Sequence, residues 1–150
     1  MKTRIRVAQF WVLALVIVLL MAACSQASGE ETTSDETGPA ELVKNADGYT
    51  DITVRQLNEM MSDKDFTLVN VHIPFEGDLP QTDRSIPFDR IADYVDQLPD
   101  KDAPIVLYCR SGSMSTQAAK TLAGLGYTNV MEVDGGFKAW KAAGYAMTSE

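Results

Sequence analysis

Cys109, Arg110, Ser111, Gly112, Ser113, Met114 and Ser115 bring a thiol, a guanidinium and three hydroxyls together in consecutive positions. A thiol attacks as its anion, and backbone N–H groups leading into a helix N-terminus favour negative charge. The surrounding residues predict that setting. Ile105-Val106-Leu107-Tyr108 has the form of a short buried strand after Pro104, and the small polar stretch is its exit loop. Ala118, Ala119, Leu122 and Leu125 then fall at helix spacing from Ser115, with Gly126 as the stop. The sulfur is therefore expected to be exposed at the C-terminal end of a strand, the edge of an open α/β sheet where ligands bind. Cys109 is the candidate nucleophile, with the amides from Arg110 to Ser115 around its sulfur. Ser111, Ser113 and Ser115 are candidate donors, one of the last two also capping the helix, and Gly112 is expected to let the loop fold tightly where a Cβ would obstruct it. Arg110 is a candidate grip for an anionic substrate. The alternatives are a cysteine that merely packs at a strand end and an arginine that faces solvent.

The loop Cys109-Arg110-Ser111-Gly112-Ser113-Met114-Ser115 resembles the active-site loop of the rhodanese-like (sulfurtransferase) domain family. Downstream, Val133-Asp134-Gly135-Gly136-Phe137-Lys138-Ala139-Trp140-Lys141-Ala142-Ala143-Gly144-Tyr145 is similar to that family's Gly-Gly…Trp…Gly signature. The resemblance spans about residues 48–148. It implies one sulfurtransferase module without a cofactor, moving a sulfane sulfur through a persulfide on Cys109. Its expected partners are a small sulfur-containing anion such as thiosulfate as donor and a thiol or cyanide-like acceptor, with Arg110, Ser111, Gly112, Ser113, Met114 and Ser115 binding the substrate. Such chemistry is covalent and two-step, hence ping-pong.

The chain departs from the family at three places. Met114 holds the sixth loop position, often basic in thiosulfate-active members. Asn70-Val71-His72 stands where Asp-Val-Arg is usual, and the stretch from Ile73 to Arg84 bears little likeness to the family. Two other readings follow. One is a non-catalytic rhodanese-like carrier, sensor or protein-binding module. The other is a cysteine phosphatase or arsenate reductase, disfavoured because their Cys-x5-Arg loop needs a guanidinium where this chain has Ser115.

The elements that must hold the loop are legible in outline. Thr53-Val54-Arg55-Gln56 has capping-box form, with Val54, Leu57, Met60 and Met61 at helix spacing. Phe66 to Val71 and Asn129 to Val133 read as strands. Phe88 to Leu98 reads as a helix with Ile91, Tyr94, Val95 and Leu98 on one face, and Phe137 to Ala143 as a closing helix. Strands alternating with helices imply a doubly wound parallel α/β sheet. Phe137 and Trp140 are expected in the core, and Gly135-Gly136 in a tight turn. His72 is the only histidine, so no multi-histidine metal site can form. Its position at a strand end could bring it near Cys109, or it is a polar loop residue of no special role.

Composition bounds the rest. A chain of 150 residues, 45% hydrophobic, suits one domain, and a net charge of −8 disfavours nucleic acid as a partner. Residues 1–23 form a basic start (Lys2, Arg4, Arg6) and an apolar run from Phe10 to Met21, short for a membrane span and suited to a signal peptide. Leu20-Met21-Ala22-Ala23-Cys24 resembles a bacterial lipobox, which implies lipidation of Cys24. An uncleaved anchor from Val7 to Ala23 is the alternative. Residues 24–46, rich in Ser, Thr and Glu, read as a flexible acidic tether, and 47–150 as the folded domain. The expectation is a monomer held on the extracytoplasmic side of a membrane, with Cys109 as a lone thiol.

Overall fold

The computed structural model describes residues 42–148. The expected signal peptide, Cys24 and most of the tether lie outside them. Among the described residues no helix is long and apolar enough to cross a membrane. The folded unit is built from β1 (Thr50–Ile52), α1 (Val54–Met60), β2 (Thr67–Asn70), β3 (Arg84–Ser85), a 3₁₀ helix (Phe88–Gln97), β4 (Ile105–Tyr108), α2 (Ser113–Gly124), β5 (Val130–Val133) and α3 (Gly136–Ala142). Lys44 and Asn45, at the end of the expected tether, already touch this unit. Lys44 bridges to Thr50, and Asn45 Nδ2 donates to Asp51 Oδ2 at 2.9 Å.

The five strands form one parallel sheet in the order β1-β5-β4-β2-β3. This is the α/β architecture expected from the sequence, with β4 at its centre. The short β1 and β3 went unread because two or three residues carry too little periodicity to be recognised.

Strand alternation splits the core into two layers. Val69, Val71, Ile105, Leu107, Cys109 and Val130 point to the side of α2, where Ala118, Ala119 and Leu122 meet them. Leu68, Val106, Tyr108, Met131 and Val133 point to the other side, against Leu57 of α1 and Phe137 and Trp140 of α3. Phe137 and Trp140 are core residues, as their spacing predicts.

Local signals explain the helix ends. Thr53 forms the expected capping box with Gln56: Gln56 N donates to Thr53 Oγ1 at 3.2 Å and Thr53 N to Gln56 Oε1 at 2.8 Å. Gly126, at φ 88°, ends α2, with Tyr127 N donating to Leu122 O and Gly126 N to Ala123 O.

Two expectations are corrected. The segment after Pro87 is a 3₁₀ helix with a kink at Tyr94, so its period is three residues. Phe88, Ile91 and Tyr94 therefore reach the core, while Val95 is left 39% exposed. α2 begins at Ser113 instead of Ser115, its N-cap is Gly112, and neither serine side chain caps it.

Candidate functional site

β4 ends at Tyr108, and the alternation that turns Ile105 and Leu107 toward α2 carries Cys109 the same way. The side chain consequently enters the core layer beneath α2, and Cys109 is only 1% exposed. This corrects the expectation of an exposed thiol: strand parity, which the loop does not override, decides the burial. The sulfur nevertheless faces donors. Gly112 N–H points to Sγ at 3.2 Å, and Ser115 Oγ lies 3.4 Å from it.

α3 fixes the carbonyls at the start of the loop. Phe137 N donates to Cys109 O and Lys138 N to Arg110 O, each at 3.0 Å. With both carbonyls drawn to α3, planar trans peptides turn the N–H groups of Arg110 and Ser111 the other way, while the Gly112 N–H that meets Sγ follows one residue later. The contact with α3 needs Gly136, because a Cβ there would lie 2.1 Å from Cys109 O. Gly135-Gly136 thus does more than turn the chain; it lets a helix start directly on the loop. Gly112 is required for a different reason from the one expected. A Cβ at that position would meet its neighbours at an ordinary 3.6 Å, but its φ of 97° disfavours any L side chain.

Ser115 is fully buried and is the hub of the site. Its hydroxyl approaches Gly112 O at 3.0 Å, Cys109 Sγ at 3.4 Å and, most closely, Glu132 Oε1. Ser111 and Ser113 are exposed at the loop surface, and Met114 packs half-buried onto the layer that contains Cys109.

Arg110 is 53% exposed, and its Nη1 lies 3.3 Å from Glu76 Oε1. The guanidinium is thus at the rim, held by a carboxylate of its own chain. Glu76 also meets His72, whose Nε2 lies 3.1 Å from the same Oε1 but out of hydrogen-bond alignment, leaving both ring nitrogens without an aligned partner. His72 contact, partly opposed by desolvation and assisted by the Arg110 charge, holds the Glu76 carboxyl below its ordinary range.

A profile of the rhodanese-like domain matches residues 53–143. The chain belongs to the rhodanese-like domain family. A sulfurtransferase of Allochromatium vinosum is 34% identical over 98 residues, covering 63% of this chain and 90% of the relative. Thiosulfate sulfurtransferase GlpE of Pseudomonas savastanoi pv. phaseolicola is 44% identical over 52 residues, 35% of this chain and 48% of that protein. The chain thus spans about half the length of that relative. A solved rhodanese-related protein from Thermoplasma volcanium superposes with a TM-score of 0.58 at 28% identity, covering 67% of this chain and 98% of that one.

Within this rhodanese-like domain two site residues escaped the sequence reading. Glu76 lies in the stretch with little family likeness. That stretch is pinned over the sheet edge by Asn70 Nδ2 to Gly77 O at 3.0 Å and by Leu79 N to Tyr108 Oη at 3.0 Å, which is how it reaches Arg110. Glu132 did carry a signal: it is the charged residue inside the otherwise apolar Val130-Met131-Glu132-Val133. His72 is 9% exposed and stacks edge-on against Phe137, with ring centroids 5.4 Å apart. His72 is a loop residue, two positions past the end of β2, but it is packed inward and not turned to solvent.

Proposed function

We propose that this protein is a membrane-tethered sulfurtransferase that carries a sulfane sulfur as a persulfide on Cys109. The Cys109 thiolate attacks the outer sulfur of the donor and forms an S–S bond. The donor's own bond to that sulfur breaks, and with thiosulfate as donor the leaving group is sulfite. A thiol or cyanide-like acceptor then attacks the outer persulfide sulfur and releases the thiolate. The observation that supports this reading is the orientation of the loop, with Sγ facing the Gly112 amide and the Ser115 hydroxyl while the neighbouring carbonyls bond to α3. Because Cys109 is buried, the donor gains the sulfur by displacing the exposed side of the loop around Arg110 and Ser111.

Cys24 is the lipidation site in this reading, with residues 25–46 as spacer, and the domain works as a monomer outside the cytoplasm. Burial of Cys109 and the pairing of Arg110 with Glu76 favour a second reading, a module that binds or senses without turnover. One experiment separates the two. The full chain in detergent is incubated separately with thiosulfate, polysulfide, glutathione persulfide and 3-mercaptopyruvate, and the intact mass is measured. A gain of one sulfur atom with at least one donor, absent in Cys109→Ser, is expected. No gain with any of them overturns the sulfurtransferase reading in favour of the binding module. For the anchor, mass spectrometry of the mature N-terminus should find acylated Cys24, and an intact Met1 refutes the lipobox.

A further inference from the structure

Ser115 owns one hydroxyl hydrogen but stands within reach of three acceptors: Gly112 O, Cys109 Sγ and Glu132 Oε1. A hydroxyl can serve only one of them fully at a time. Which one it serves depends on Glu132. That residue is 1% exposed and lies on β5 beside β4, on the face that also carries Cys109. The groups facing it are Asp51 from β1, Asp134 just past the end of its own strand and Ser115 from α2, with the Cys109 sulfur on the other side of the serine hydroxyl. Burial, with the charges of Asp134 and Asp51 added and the Ser115 hydrogen bond opposing, pushes the Glu132 carboxyl up to about 7.

We propose that Glu132 is a positioning residue for the sulfur anion of Cys109 and that it acts through Ser115 in its neutral form. As the acid, Glu132 donates to Ser115 Oγ, and the serine hydrogen turns to the thiolate or persulfide. When Glu132 ionises, its proton leaves to water and no bond to sulfur changes. The serine hydrogen then turns to the carboxylate, Sγ retains the Gly112 amide, and a second negative charge stands behind the hydroxyl. Two anions sharing a buried site oppose each other. The sulfur anion is therefore best supported below neutrality, and its support weakens as Glu132 loses its proton.

This inference rests on Cys109 being the sulfur carrier, but its test does not need a sulfur donor. Iodoacetamide alkylation of the full chain in detergent is followed from pH 5 to 9 on the peptide bearing Cys109. The wild-type rate should rise in two steps with a shoulder near neutrality. In Glu132→Gln the amide still donates to Ser115 and never ionises. A single rise is expected, matching wild type near pH 5 and roughly 3- to 10-fold faster at pH 8, as relief of the repulsion between two coupled anions would give. Ser115→Ala should shrink that gain. Superimposable wild-type and Gln profiles overturn the proposal, and so does a folded Gln variant slowed equally at every pH, which marks Glu132 as purely structural. Failure of sulfur loading with an intact Glu132 effect would refute the transfer reading alone.

Discussion

Arg110 shows how a side chain of the right type can be committed elsewhere. Its guanidinium is the group suited to an anionic donor, yet Glu76 already stands 3.3 Å from it, and Met114 adds no second cation. Under the proposed sulfur transfer, thiosulfate as donor would compete with a carboxylate tethered to the same rim. Glu76→Gln should therefore lower KM for thiosulfate several-fold while leaving kcat near wild type, as removal of a competing charge acts mainly on binding. With Arg110→Ala in place, the Glu76→Gln change should no longer alter KM. Steady-state kinetics at low and high salt checks both, and a KM indifferent to Glu76 rejects the competition.

At the level of elements, the decisive contact is the start of α3 on the loop after β4. Phe137 N and Lys138 N take the carbonyls of Cys109 and Arg110, and Gly136 provides the clearance. Gly136→Ala should push α3 off the loop and cost about 3 kcal/mol or more, measured by urea unfolding, because backbone atoms cannot yield as a flexible side chain does. Gly124→Ala is the counterpart. Gly124 ends α2, and a methyl group added there would meet nothing within 4 Å, so the change should stabilise by up to about 1 kcal/mol. Equal effects of the two substitutions would show that the α3 contact does not constrain the loop.

For the whole molecule, stability should depend on pH through Glu132. Its folded-state carboxyl titrates at about 7, above the ordinary 4.5, so the folded chain binds more protons than the unfolded chain between those values. Stability from this group is present in full below 4.5 and is lost as pH rises to about 7. The loss is at most about 3.5 kcal/mol, since each pH unit between the two titration points contributes about 1.4 kcal/mol. Asp134, raised chiefly by desolvation and then by Asp51, acts in the same direction. Glu132→Gln should therefore raise the urea midpoint more at pH 8 than at pH 5. A pH-independent gain would remove the basis for this linkage.

Much of the fold is legible in the order of residues. The apolar runs around β2, β4 and β5, the Thr53–Gln56 box, the Gly126 stop and the cysteine loop are local patterns, and local chemistry dictates them wherever they sit. The contacts that shape the site are not local. Cys109 meets Glu132 through Ser115 because parallel pairing of β4 with β5 brings odd positions of one strand level with even positions of the other beneath α2. Glu76 reaches Arg110 across 34 residues because Asn70 and Tyr108 pin the intervening loop. Residue types and their spacing dictate which groups are able to react and which segments carry them. Burial of the thiol, pairing of the arginine and the carboxyl behind the serine come from the folded arrangement, since each depends on register and side-chain parity between strands far apart in the chain.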